Sequence, residues 1–221
     1  MATRDEIRKG IETIHPPGEV FEVRALAPRG PKAIGYYDSA DLAVEDAELL
    51  DADEDVFGVY MTLNPLKPAV LARAENRSKR NATASSDRDV ELRRWLFVDF
   101  DPVRPVDTSS SEQELLLAKE RASVVVDELS AKGWSEPVVA ASGNGMHLLY
   151  PIDLPNTDAA KSLVGSTLNA LAFHYTDDLV KIDTSVYNAA RIIRLYGTVA
   201  RKGDDCANRP HRRSAIISVP S

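Results

Sequence analysis

The first part of the chain changes between two hydrophobic periods. Apolar residues at every second position predict strands, and apolar residues three or four positions apart predict amphipathic helices. Pro16-Pro17 ends the first predicted helix, because proline has no backbone N–H to donate. The predicted elements are helix Arg4–His15, strands Glu19–Ala27 and Lys32–Tyr37, helix Ala40–Leu50, strand Val56–Leu63, a short helix Ala69–Glu75 and a long polar loop Asn76–Asp89.

The second part has the element order of a split βαβ unit, which is strand, helix, hairpin, helix and strand. Asn144-Gly145 lies between two apolar strands and predicts a tight turn in which both residues have positive φ. The predicted elements are Arg94–Asp101, Ser110–Lys132, Pro137–Ala141, Met146–Ile152, Asn156–Tyr175, Leu179–Asp183, Arg191–Leu195 and Ser214–Val219. We therefore predict an α+β fold with an RRM-like core at 93–221 and an N-terminal αβ subdomain at 1–92, together one domain of 221 residues.

Composition excludes several classes of protein. Apolar residues make up 43% of the chain, enough for a sizeable core, yet no run of eighteen apolar residues predicts a membrane span and no signal peptide is visible. The single cysteine, Cys206, excludes an internal disulfide, and we expect a cytoplasmic protein without membrane partners. With one cysteine and four histidines, no zinc site is expected.

The net charge of −7 argues against a protein that coats DNA, but the charges are unevenly distributed. The segment Asp41–Asp55 is acidic without basic residues, and we expect it to be a solvated surface. Basic residues dominate Arg191–Arg213, and a second basic stretch runs from Arg73 to Arg94. This distribution predicts a local phosphate-binding site.

Asp99 and Asp101 are the first candidate site residues. They end an apolar strand, and alternate side chains of a strand share one face, so the two carboxylates point the same way. Paired carboxylates repel each other unless a hard cation such as Mg²⁺ or Mn²⁺ binds between them. The ordinary structural interpretation is a pair of solvated acids at the end of a strand, and the pair alone does not exclude it.

The sequence Ser142-Gly143-Asn144-Gly145-Met146-His147 is the second candidate. Two glycines in a tight turn allow backbone N–H groups to approach an anion, and His147 can donate a hydrogen bond to phosphate or transfer a proton. A plain hairpin followed by a packed histidine is the alternative.

Asp183 ends another short apolar run and is placed to complete a carboxylate trio, although a turn or cap is the commoner role for such a residue. Arg191 and Arg194 lie among apolar residues, where a cation is costly without an anionic partner, and Arg201-Lys202 adds two more charges. A nucleoside triphosphate would supply such a partner. Salt bridges on the surface are the alternative.

In this order, the motifs resemble those of the archaeo-eukaryotic primase superfamily, in particular the primase–polymerase domains of phage and plasmid replication proteins. The resemblance covers 56–219 and includes Tyr60-Met61-Thr62-Leu63-Asn64-Pro65. It implies that Asp99, Asp101 and Asp183 bind two Mg²⁺ or Mn²⁺ ions. It also implies that Ser142 and His147 contact the nucleotide phosphates. The basic set implied for the triphosphate is Arg191, Arg194, Arg201 and Lys202, with Asn188 nearby.

The implied activity is DNA primase or DNA-directed polymerase chemistry in phage or plasmid replication. The implied partners are a single-stranded DNA template, a primer strand, NTPs or dNTPs, and a helicase domain or protein. The chain carries neither the zinc cluster of many relatives nor an ATPase motif. An inactive RRM-like nucleic-acid-binding module remains open, although three acids would repel phosphate. A rolling-circle initiator nuclease lacks a second histidine near His147, and no nucleotide-sugar pattern supports a glycosyltransferase.

Overall fold

Two five-stranded antiparallel sheets organise the chain in the computed structural model, which describes residues 2–220. The first sheet has the strand order β4-β2-β1-β3-β9, and the second has the order β12-β6-β7-β5-β8. The elements of the first part are α1 (Ala2–Ile14), β1 (Phe21–Ala27), β2 (Gly30–Tyr37), α2 (Ala40–Asp51), β3 (Gly58–Thr62) and β4 (Ser78–Lys79). No helix within the described residues is long and apolar enough to cross a membrane.

The second sheet confirms the predicted split βαβ core. The strand order β6-β7-β5-β8, with β7 between β5 and β6, is that of two interlocked βαβ units. Its elements are β5 (Leu92–Pro102), α3 (Glu112–Ala131), β6 (Val138–Ala141), β7 (Met146–Pro155), α4 (Asp158–Tyr175), β8 (Val180–Ile182), β9 (Ile192–Arg194), β10 (Val199–Ala200), β11 (Arg212–Arg213) and β12 (Ala215–Ser218). The fold is thus α+β, with helices packed against antiparallel sheets.

The two predicted subdomains are connected by more than one crossing of the chain. Strand β9 belongs to the predicted subdomain 93–221 but pairs with β3 of the first sheet, where Tyr60 lies opposite Arg194. A single buried cluster contains Val23 and Met61 from the first sheet and Phe100 from the second. The division near residue 92 therefore stays a prediction about sequence organisation.

The segment 69–89 differs in detail from the prediction. The expected helix Ala69–Glu75 is a 3₁₀ helix over Pro68–Arg73. The predicted loop contains β4 and a 3₁₀ turn at Asp87–Asp89. Polar contacts hold this loop on the first sheet: the Ser85 N–H donates to buried Glu22 at 2.6 Å, and the Tyr36 hydroxyl donates to the Thr83 carbonyl at 2.5 Å.

Candidate active site

Strand β5 positions the carboxylates of Asp99 and Asp101. It is flanked by β7 and β8, and Asp99 lies opposite His147 whereas Asp101 lies opposite Lys181. Val98 and Phe100 are fully buried on the other face of the strand, as the alternation of apolar and acidic residues predicts. The hydrophobic face thus fixes the register that turns both acids toward one cavity.

Asp183 reaches the same cavity from the end of β8. Its backbone N–H donates to the Asp99 carbonyl at 3.0 Å, which ties the two positions together. Its carboxylate accepts a hydrogen bond from the Ser185 N–H at 2.8 Å. The cavity has a volume of about 230 Å³, and all three carboxylates line it together with His147. The structure therefore brings the three predicted acids together.

His147 is held by two partners at the base of the cavity. Its Nε2 lies 3.4 Å from Asp99 Oδ1, and its Nδ1 lies 2.8 Å from the Tyr196 hydroxyl. Burial, and then the charge of Asp99, raise the pKa of Tyr196 well above its usual value, so the phenol stays protonated. When the ring of His147 is neutral, the phenol donates to Nδ1 and the ring proton sits on Nε2, which faces the cavity.

The electrostatics of Asp101 reflect its carboxylate neighbour. Burial, and then the charge of Asp99, raise the pKa of Asp101, while Arg104, His147 and Lys202 act in the opposite direction. The guanidinium of Arg104 lies 3.4 Å from the Asp101 carboxylate and also donates to the Pro102 carbonyl. A cation bound between the two carboxylates would relieve their repulsion.

The donor chemistry of the cavity fits a hard divalent cation. Mg²⁺ and Mn²⁺ prefer carboxylate oxygens, and two of the three carboxylates share a face of one strand. Within residues 2–220, however, no three His, Cys, Asp or Glu side chains lie close enough together to form a ready metal centre. The carboxylates line one cavity but are too far apart to bind one cation together, so cation binding would require their side chains to move closer to each other.

The turn between β6 and β7 corrects the prediction for its backbone. Positive φ occurs at Gly143 (96°), not at the Asn144-Gly145 pair. The Ser142 hydroxyl accepts hydrogen bonds from the N–H groups of Asn144 and Gly145, which are therefore engaged within the turn. A side chain on Gly145 would lie 2.2 Å from the Phe100 carbonyl, so this glycine permits close packing on β5. Ser142 and Asn144 line the cavity.

Three of the predicted basic residues, Arg191, Arg194 and Lys202, line the cavity. Arg194 stacks on the Tyr60 ring with its guanidinium carbon 4.3 Å from the ring centre, and it donates to the Tyr60 hydroxyl at 2.9 Å. Burial lowers the pKa of Arg194, and its Nη1 is buried without a hydrogen-bond partner among the described residues. An arginine in this condition has donor capacity left for an anion.

Hydrogen bonds to its backbone hold the segment that carries Arg191 in place. Asn64 donates from Nδ2 to the Ala189 carbonyl at 2.9 Å, and Asp87 accepts from the Ala190 N–H at 2.9 Å. Arg191 itself donates to the Ser185 carbonyl at 2.8 Å. Asn64 is 2% exposed, so its contact is internal, and the three hydrogen bonds together set where the arginine enters the cavity.

Arg201 and Asn188 are not among the residues that line the cavity. Arg201 donates to the Asp51 carbonyl at 2.6 Å and lies 3.2 Å from its carboxylate. Asp51 is 6% exposed, which corrects the expectation that the whole acidic segment Asp41–Asp55 is solvated. The nucleotide-binding role of Arg201 and Asn188 stays a prediction that this geometry does not support.

Sequence reasoning did not assign a site role to two polar residues that line the cavity, Tyr60 and Arg104, or to Tyr196, which lies buried behind His147. Arg104 follows Asp101 by three positions, and this spacing from an acidic pair is a usable signal. Tyr60 and Tyr196 carried no such signal, because their contacts join strands far apart in the chain.

This chain is similar to known proteins in its three-dimensional structure, but not detectably in its sequence. Neither the protein-family models nor the curated protein sequences gave a match. The structure is similar to a crystal structure of primase RepB′, with 15% identity and a TM-score of 0.50 over 98% of this chain. The chain spans 56% of that protein's length. The catalytic domain of primase RepB′ in complex with initiator DNA, and the polymerase domain of Mycobacterium tuberculosis ligase D in complex with DNA, each gave a TM-score of 0.49.

The two matches at 0.49 have 15% and 17% identity, cover 98% and 95% of this chain, and cover 84% and 79% of theirs. The likeness to primase RepB′ concerns the fold, which is the fold that the resemblance to archaeo-eukaryotic primases implies. The predicted architecture is thereby confirmed.

Proposed function

We propose that the chain is a metal-dependent DNA primase or DNA-directed polymerase that joins nucleotides on a single-stranded DNA template. The observation that carries the proposal is one cavity lined by Asp99, Asp101 and Asp183 together with His147. Cationic residues that line the same cavity are suited to a triphosphate. The primase fold of the chain supports the same conclusion.

The proposed reaction is attack by a 3′-hydroxyl on the α-phosphorus of an incoming nucleotide. The new phosphodiester bond forms as the bond between the α- and β-phosphates breaks, pyrophosphate leaves, and the hydroxyl proton passes to solvent. Asp99, Asp101 and Asp183 would hold two Mg²⁺ or Mn²⁺ ions, which activate the attacking hydroxyl and stabilise the leaving pyrophosphate when bound.

The remaining cavity residues bind and orient the nucleotide. His147 donates from Nε2 to a phosphate oxygen, since Tyr196 occupies its other ring nitrogen. Arg194, with an unused buried N–H group, and Arg191 neutralise the negative charge that develops on pyrophosphate. Lys202, which is exposed at the edge of the cavity, adds a further charge.

The test is a gel assay of synthesis on single-stranded DNA with labelled nucleotides and Mg²⁺ or Mn²⁺, with and without an annealed primer. The Asp99→Ala/Asp101→Ala variant should lose activity by about a thousandfold or more, since the charges it removes act on the reacting phosphate. The matched control is Glu120→Ala/Asp127→Ala, which removes two exposed acids of α3 and should leave synthesis unchanged.

The outcomes separate the candidate functions. Products without a primer identify a primase–polymerase, and products only with a primer identify a polymerase. Mn²⁺ binding, followed by its paramagnetic effect on water relaxation, should disappear in the double variant and persist in the control. Synthesis by the Asp99→Ala/Asp101→Ala variant would contradict the proposal, and a folded protein that neither binds Mn²⁺ nor makes product would indicate the binding module.

A further inference from the structure

A second depression opens on the side of the molecule where the β1–β2 turn meets the chain after β4. Its volume is about 940 Å³, roughly four times that of the cavity lined by Asp99, Asp101 and Asp183, which we call the acidic cavity. The segment 201–211 contributes its third side. We call this depression the basic groove, since its lining includes the four cationic residues Arg29, Lys32, Arg80 and Arg201.

Two of these cations are neutralised within the protein. Lys32 lies 2.6 Å from an Asp53 oxygen and 3.0 Å from an Asp55 oxygen, and Arg201 is paired with Asp51. The same acidic segment that sets the negative net charge thus supplies internal partners here. Glu54 and Asp55 also reach the lining, so the groove is not uniformly basic.

Arg29 and Arg80 differ from the other two cations. Both are exposed, and across residues 2–220 neither takes part in an ion pair or a side-chain hydrogen bond. Two guanidinium groups without an ion-pair partner on one depression have donors available for the phosphates of an anionic ligand. Their position on separate loops suits an extended anion better than a small one.

The rest of the lining is apolar and includes Phe57, Pro28 and Pro31. A groove that combines cations with an aromatic ring and apolar surface is typical of sites for single-stranded nucleic acid, since phosphates pair with the cations and bases lie on the apolar wall. An acidic peptide would use the cations but not this wall.

The basic groove and the acidic cavity meet on one short segment of chain. Lys202 lines the cavity, while its neighbours Arg201 and Gly203 line the groove. A strand lying in the groove would therefore pass beside the cavity in which the carboxylates lie.

We propose that the basic groove binds a single-stranded nucleic acid, with Arg29 and Arg80 on its phosphates. That this strand is the template rests on the proposed function, whereas binding itself needs neither metal nor catalysis. A strand in the groove would lie next to Lys202, which lines the acidic cavity.

The test measures binding of a fluorescently labelled oligothymidylate by anisotropy, in EDTA and without nucleotides, over a series of salt concentrations. The Arg29→Glu/Arg80→Glu variant should bind at least about tenfold more weakly. The slope of log affinity against log salt should fall by about 1.4, the value for two lost phosphate contacts on a single strand. The matched control is Arg88→Glu/Lys119→Glu, which changes the net charge equally at two exposed cations elsewhere and should change affinity less than about twofold.

Further measurements make each outcome decisive. The milder Arg29→Gln/Arg80→Gln pair, with an unchanged melting temperature, should give the same direction of effect. The Asp99→Ala/Asp101→Ala variant should bind the oligonucleotide as well as the native chain does. If the native chain binds the strand but makes no product, the proposal for the groove stands and the proposed function is wrong. Equal loss in groove and control variants, no binding by the native chain, or displacement of the strand by polyglutamate at equal charge would each overturn the proposal.

Discussion

The acidic cavity and the basic groove both contain charged side chains that form no ion pair with a residue of opposite charge, carboxylates in the cavity and guanidinium groups in the groove. In the cavity, Asp99 and Asp183 form no ion pair with an arginine or lysine among the described residues. In the groove, neither Arg29 nor Arg80 forms an ion pair, although, after Lys32, Arg80 contributes to lowering the pKa of Asp53. Elsewhere the chain pairs such groups closely, as in the two-point contacts of Arg209 with Glu114 at 2.7 Å.

The contrast between paired and unpaired charges indicates where the functional sites of this highly charged chain lie. A partly buried charge without a partner costs free energy, and the cost is retained where a ligand supplies the missing partner. The density of charge is not the criterion, because the acidic segment Asp41–Asp55 is the most acidic part of the chain and is extensively paired. Its residue Asp51 accepts from Arg201 and Arg213 and is a structural group.

Removing Asp51 tests the structural side of this comparison and should give the largest change in stability. The variant Asp51→Ala removes the carboxylate partner of two partly buried guanidinium groups, which keep only backbone carbonyl acceptors, and it leaves the Val199 N–H without its acceptor. We expect a loss of about 3–5 kcal/mol in the free energy of unfolding, measured by urea denaturation.

The matched control is Glu45→Ala, which removes a half-exposed ion pair with Arg4 from the same acidic segment. It should cost less than about 1 kcal/mol. Equal losses in the two variants would show that Asp51 is no more structural than its solvated neighbours, and the comparison would fail.

Tyr196 links the buried structure to the cavity, and its variant should give an intermediate effect. Tyr196→Phe removes the donor to His147 Nδ1, so the ring no longer has a fixed proton position. We expect synthesis to fall about tenfold, and the nitrogen NMR signals of His147 to change from one tautomer to a mixture. A purely structural role would leave the tautomer unchanged.

Tyr150→Phe is the matched control, since the Tyr150 hydroxyl is buried without a partner among the described residues, and burial raises its pKa to about 12. Removing it should leave activity unchanged and stability unchanged or slightly higher, because no hydrogen bond is lost. A loss of synthesis equal to that of Tyr196→Phe would contradict the positioning role of Tyr196.

The sequence predicted the elements whose hydrophobic period is local. Strand β5 alternates apolar and acidic residues, so both the strand and the shared face of Asp99 and Asp101 follow from it. The helices α3 and α4 begin at capping residues, Ser111 and Thr157, that the chain places directly before an amphipathic run. Asp183 could be predicted because it ends an apolar run as Asp101 does.

The partners of single side chains could not be predicted, since they depend on which strands become neighbours. Arg191, Arg194 and Arg201 look alike in sequence, but β9 carries Arg194 onto Tyr60 whereas β10 leads Arg201 to the end of α2. The positive φ at Gly143 was missed for a related reason, because the turn is set by packing of Gly145 against β5 and not by the Asn-Gly pair alone.

Asp101→Asn should give the smallest change in stability, and it measures the cost of holding the charge of Asp101 beside that of Asp99. The pKa of Asp101 is raised, so the folded state binds the proton more tightly than the unfolded chain. The contribution of Asp101 to the free energy of unfolding is fully present at low pH, where the group is protonated in both states. It is lost as pH rises through the raised pKa, above which the ionised carboxylate destabilises the fold. Asn cannot ionise, so the variant should be more stable than the native chain at neutral pH.

We expect the melting temperature of Asp101→Asn in EDTA to exceed the native value by about 1–2 °C at pH 7, a small gain because the side chain is half-exposed. The gain should vanish near pH 3, and Asp127→Asn on the exposed face of α3 should show none. Added Mg²⁺ should raise the native melting temperature and not that of the variant, since only the native pair repels and binds the cation. An unchanged difference with pH and Mg²⁺ would mean that the two carboxylates do not share a site, and the cavity would then be only a polar surface.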